Sequence, residues 1–180
     1  LVTGVQTCAL PICVDFSALA KAGVVAFTDD GVGVADDQVM LRVLEGAAKT
    51  GVPVLQHAEV PGHGGVLAEG SIQRQVGGVA YPESAELDMV ARDINLVRKV
   101  PAARYHVLHV SCGKTLEAVQ EAKKSGLKVS CEASPHHLYF TSEDIKTGNS
   151  SFKMNPPLRG AIDRDALQQA LQSGVCEDRK

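Results

Sequence analysis

The chain lacks any cluster of Lys or Arg: 18 basic residues are scattered over 180 positions beside 21 acidic ones, for a net charge of −3. A nucleic-acid backbone or an anionic membrane surface as main partner calls for a basic patch, so neither is expected. No apolar run approaches the roughly 20 residues needed to cross a bilayer, and no basic-then-apolar leader precedes a small-residue cleavage site. The expected location is the cytoplasm. There is no C-x-x-C pair either. The five cysteines, Cys8, Cys13, Cys112, Cys131 and Cys176, are an odd set that fits neither a disulfide framework nor a structural zinc knuckle, and they read as buried or idle thiols. Gly62-His63-Gly64-Gly65 lacks both a Rossmann-type context and the Lys-Ser/Thr of a P-loop, so it reads as a loop and not a phosphate cradle. Internal repeats and low-complexity tracts are also missing. What is present, 44% hydrophobic and 22% charged residues, is the composition of a globular chain with enough apolar material for a core.

Residues 1–12, LVTGVQTCALPI, have no period, no cap and no polar face. The string resembles the conceptual translation of a sequencing-library adapter, and Asp178-Arg179-Lys180 resembles the start of the opposite adapter. Both ends are therefore left out of fold reasoning, and the domain is expected over 13–177.

Between these ends, short apolar runs alternate with amphipathic helical patterns, the signature of β-α units around a parallel sheet. Strands are predicted at Gly23–Phe27, Val52–Leu55, Tyr105–Val110 and Leu127–Cys131, with helices over about Asp37–Lys49, Ser84–Lys99 and Thr115–Lys124. Each strand unit stops on an ionisable residue: Asp30, His57, His109 and Glu132 are predicted at one rim. In a parallel α/β barrel that rim carries the active site; an open doubly wound sheet also gathers strand ends, so the pattern leaves both architectures open. Strand alternation puts His109 on the side of Tyr105 and Val107 and turns His106 toward the helix layer.

Two neutral imidazoles and a carboxylate suit zinc, which accepts N and O ligands and acidifies water. The spacing between Asp30, His57 and His109 is too long for any local motif to establish a site, and each histidine taken singly also has a structural reading. His136 and His137 are adjacent, so their rings point apart; hydrogen bonding to backbone is expected of them rather than a metal role. In Asn155-Pro156-Pro157-Leu158-Arg159 two prolines fix φ, a stiffness suited to holding an amide or guanidinium toward a small anionic ligand, or to a plain turn.

Five segments, taken together, carry a family resemblance: Phe27-Thr28-Asp29-Asp30-Gly31, Gln56-His57-Ala58-Glu59, His106-Val107-Leu108-His109-Val110-Ser111, Glu132-Ala133-Ser134-Pro135-His136-His137-Leu138 and Lys153-Met154-Asn155-Pro156-Pro157-Leu158-Arg159. In order and separation they resemble type I dihydroorotase of the amidohydrolase superfamily, over nearly all of 13–177. The resemblance implies an α/β fold, a partial TIM (β/α)8 barrel of the metal-dependent hydrolase type supplying about strands four to seven. It implies a cyclic amide hydrolase using one or two Zn2+ ions, interconverting dihydroorotate and N-carbamoyl-aspartate in pyrimidine biosynthesis. By the same resemblance His57 and His109 match zinc-binding histidines, Asp30 matches the carboxylate facing the metal site, and Asn155 matches a substrate-contacting position. Related hydantoinases and allantoinases carry a carboxylated lysine where Asp30 stands, so the aspartate favours dihydroorotase. Val60 departs from the pattern, which usually has an acid after His-x-Glu.

The first-strand His-x-His or His-x-Arg motif and the Asp-His-containing motif after the eighth strand have no counterpart here. The resemblance assigns the proton shuttle to the acid of that last motif, so no catalytic acid/base is assigned within the chain, and the polypeptide as written is expected to be inactive. Two other readings are an allantoinase or hydantoinase, and a non-catalytic homologue serving as structural partner of aspartate transcarbamoylase. A TIM barrel takes about 250 residues, so a four-strand piece is expected to leave sheet edges open and to aggregate or stay partly unfolded.

Overall fold

Local chemistry sets the helix boundaries. The Asp36 carboxylate accepts the Val39 N–H at 2.8 Å and starts helix α2 (Asp37–Ala48), whose Met40, Val43, Leu44 and Ala47 recur at helical spacing and are wholly buried. Helix α4 (Ser84–Lys99) ends on Arg98 and Lys99, and helix α5 (Gly113–Lys124) on Lys123 and Lys124, where cations suit the negative end of the helix dipole. The computed structural model describes residues 14–146 and 149–176; the adapter-like ends, 1–12 and 178–180, lie outside the described residues. The remaining helices are α1 (Phe16–Lys21), α3 (Ser71–Val76), α6 (Pro135–Tyr139) and α7 (Ala161–Gln172).

Four short strands, β1 (Phe27–Thr28), β2 (Val54–Gln56), β5 (Tyr105–Val107) and β6 (Val129–Cys131), form one parallel sheet in the order β1-β2-β5-β6. Phe27 pairs with Val54, Val54 with Tyr105, and Tyr105 with Val129. A second parallel pair, β3 (Leu67–Ala68) and β4 (Ala80–Tyr81), sits in the long connection between β2 and β5. The main strands follow one another in sequence without a reversal of order. Right-handed crossovers then put the connecting helices α2, α4 and α5 on the same face, as in a barrel wall, whereas a doubly wound sheet reverses order and covers both faces. Val54, Tyr105, Val107 and Val129 are buried with α2, α4 and α5 residues in one core.

The opposite face belongs to Leu55, His106 and Ser130, which share one register row and line a hollow of about 420 Å³ with Val25 and Pro53. This corrects the expectation for His106, which does not pack on the helix layer. Its Nδ1 lies 2.8 Å from Ser130 Oγ and its Nε2 3.5 Å from Glu132, while Tyr105 takes the helix side and donates its hydroxyl to Asp93 of α4 at 2.7 Å. The alternation fails beyond Val107 because the strand ends there and His109 has φ 35°, so the parity of residue numbers no longer reports the side.

Candidate metal centre

Asp30 follows the end of β1, where the Thr28 hydroxyl accepts the Asp30 N–H at 3.1 Å and fixes the turn. The next loop returns against β2. At Gly33, φ is 71° and an added Cβ would lie 2.5 Å from the His57 carbonyl oxygen, so only glycine admits this approach. Buried Gln56 ties the same loop down, accepting the Val34 N–H at 3.3 Å and donating to Asp93 at 3.2 Å.

His57, buried just past β2, places Nδ1 3.0 Å from His109 Nε2 and 3.7 Å from Asp30 Oδ1; His109 Nε2 is also 3.7 Å from that oxygen. One potential ligand atom from each of the three residues thus falls within 4.8 Å of the others. A tetrahedral ion with bonds of about 2.0–2.1 Å holds neighbouring ligand atoms about 3.3 Å apart, so the three donors fit such an ion, with Asp30 exposed and the histidines more enclosed. Burial lowers the His109 pKa, with the neighbouring His57 acting in the same direction, which favours the neutral ligating form.

Glu59 fixes which nitrogen of His57 is available. Its Oε2 is 3.1 Å from His57 Nε2 and accepts the Asn155 Nδ2–H at 2.9 Å. Partial burial acts to raise the Glu59 pKa, but the hydrogen bonds from Asn155 and His57 outweigh it, and the carboxyl is held below its ordinary value. An ionised carboxylate only accepts, so His57 Nε2 carries the proton and Nδ1 presents its lone pair toward His109 and Asp30.

The other candidates divide. Asn155 stands beside the centre, 3.3 Å from His57 Nε2. Glu132 follows β6 at the same rim, where its carbonyl accepts the Val110 N–H, but its carboxylate pairs with His106 and is outside the cluster of three. His137 bridges Ser134 Oγ at 2.8 Å and the Pro156 carbonyl at 3.0 Å, a structural role as expected, and His136 is exposed. Sequence reasoning gave no role to Glu59, although its i, i+2 spacing from His57 was a signal. It also missed Glu86 and Ser111, for which nothing local distinguishes a buried polar network from a solvated face.

A family model described as dihydro-orotase-like matches residues 11–115. The dihydroorotase of Anaplasma phagocytophilum is 41% identical over 165 residues, covering 91% of this chain and 37% of its own length. The chain therefore spans under two fifths of that relative. A solved D-hydantoinase superposes with TM-score 0.75 at 30% identity, over 90% of this chain and 38% of the other. The Campylobacter jejuni dihydroorotase structure shares the fold, with TM-score 0.66 and 18% identity over 89% of this chain and 45% of its own. The four-stranded sheet is a partial barrel of the TIM-barrel amidohydrolase type.

Proposed function

The chain belongs to the dihydroorotase-like family, and from that premise we propose that it is part of a zinc-dependent dihydroorotase in which Asp30, His57 and His109 hold the metal and Asn155 contacts the substrate. The observation that carries this reading is the convergence of three donor atoms within 4.8 Å from three separate strand ends. When bound, zinc supplies Lewis acidity toward a carbonyl oxygen and toward water. The chain's own residues do the positioning. Glu59 orients His57 through Nε2, burial favours the neutral form of His109, and Asp30 leaves one side of the cluster open to solvent. Asn155 is exposed and anchored to Glu59, a placement from which its amide can hydrogen-bond a small cyclic amide.

A hydantoinase is the second reading, favoured by the 30% identity of the D-hydantoinase structure. Against it stands Asp30 at the position where the family resemblance puts a carboxylated lysine in hydantoinases. The test is substrate profiling of the full-length gene product with its metal content measured. Ring opening of dihydroorotate, one or two zinc ions per chain, and loss of bound metal by about 100-fold or more in affinity for His109→Asn are the expected results. Ring opening of a hydantoin but not of dihydroorotate overturns the substrate, and metal binding unchanged in His109→Asn overturns the centre.

A further inference from the structure

His109 is a non-glycine residue at φ 35°, in the left-handed region, and the residues after it must be held if that conformation is to persist. On the strand side Leu108 N–H donates to Gln56 and Val110 N–H to Glu132. Beyond Val110 the chain turns into α5, and the N–H groups of Ser111 and Cys112 are completely buried, away from any strand. Both donate to one carboxylate. Glu86, 2% exposed in the first turn of α4, accepts the Ser111 N–H at 3.0 Å and the Ser111 hydroxyl at 2.5 Å on Oε2, and the Cys112 N–H at 3.3 Å on Oε1. Arg159, also buried, donates Nε–H to the same Ser111 hydroxyl at 3.1 Å, anchors to the Tyr81 carbonyl at 2.9 Å and covers the Tyr81 ring. A buried carboxylate is costly unless its oxygens are fully hydrogen-bonded, and here the groups that satisfy it belong to the segment leading out of His109.

We propose that Glu86 is a positioning residue for His109: it clamps the backbone two and three residues downstream and so fixes the direction of the imidazole toward His57 and Asp30. This rests on the metal-centre reading above. A purely structural alternative is that Glu86 only caps α5, whose Cys112 N-cap makes no side-chain cap of its own.

The experiment uses the metal-free full-length gene product titrated with Co2+, read by visible absorption and by competition with a chromophoric chelator, together with melting of the metal-free protein. Glu86→Ala is expected to bind Co2+ about 10- to 100-fold more weakly, with a changed absorption band. Glu86→Gln, which keeps the volume and one acceptor oxygen, is expected to fall between it and the parent. A Glu86→Ala protein that melts lower but, while folded, binds Co2+ with the parental affinity and spectrum is a cap variant only and overturns the inference. If Glu86→Ala does not fold, parental binding by Glu86→Gln overturns it. His109→Asn separates the two readings: Co2+ binding unchanged in that variant removes the metal centre itself, whereas weakened binding there with parental binding in the Glu86 variants removes only the role of Glu86.

Discussion

Asp93 is wholly buried on α4, where it accepts from the Tyr105 hydroxyl at 2.7 Å and the Gln56 amide at 3.2 Å and faces Arg92 Nε at 2.7 Å. Burial outweighs these partners and pushes its pKa from 3.8 up to about 6. The folded state therefore holds a proton between about pH 4 and 6 that the unfolded chain has already released, so this group's contribution to stability falls as pH rises through that window and is level above it. The size is on the order of 3 kcal/mol. Chemical denaturation of the parent and of Asp93→Asn from pH 4 to 7 is expected to show the parent losing ground steadily up to about pH 6; a pH-independent difference would refute this assignment. At the proposed metal centre the corresponding single-residue test is Glu59→Gln. Without an acceptor-only partner His57 loses its tautomer bias, and Zn2+ affinity of the full-length gene product is expected to drop about 10- to 100-fold in chelator competition.

Helix α2 earns its place by a stripe of fully buried residues, and Leu44→Ala is expected to cost about 2–5 kcal/mol by chemical denaturation, since Leu44 is wholly buried in the core it shares with Met40 and Val43. Gly33→Ala acts differently. It forces both an unfavourable φ and a contact with the His57 carbonyl, so it is expected to destabilise by more than about 1 kcal/mol and to weaken metal binding; unchanged metal binding in that variant would detach the loop from the centre. At this scale α2, α4 and α5 were legible, with Ser84–Lys99 read to the residue, because the 3.6 period and the terminal charges are local signals, whereas α1, α6 and α7 were not predicted. The strands were read too long. Pairing begins only where a neighbour offers a carbonyl: Phe27 N–H meets Pro53, Val54 N–H meets Arg104, and Tyr105 N–H meets Lys128, so Gly23–Ala26 stays outside the ladder. The unit β3-α3-β4 was missed, since strands of two residues flanked by glycines carry no period.

Among the described residues β1 and β6 each pair on one side only, and the face carrying Leu55, His106 and Ser130 meets a hollow instead of a packed layer. The 180-residue polypeptide expressed alone is expected to self-associate, to be checked by size-exclusion chromatography with light scattering; a monodisperse monomer that melts cooperatively would contradict it. The sequence by itself determined the β-α alternation, the helix faces, and the residue types at the strand ends, because periodicity, caps and strand termination are encoded within a dozen neighbouring positions. It could not choose between barrel and doubly wound sheet; the unreversed strand order, a long-range pairing, decided that. Tertiary structure alone also separated Glu132 from the trio it resembles, turned His106 to the face away from the helices, and placed Glu59 against His57 and Glu86 against the segment that follows His109. Each of these involves a contact between residues 25 to 96 positions apart, His106 with Glu132, Asn155 with Glu59 and Ser111 with Glu86, which no local pattern reports.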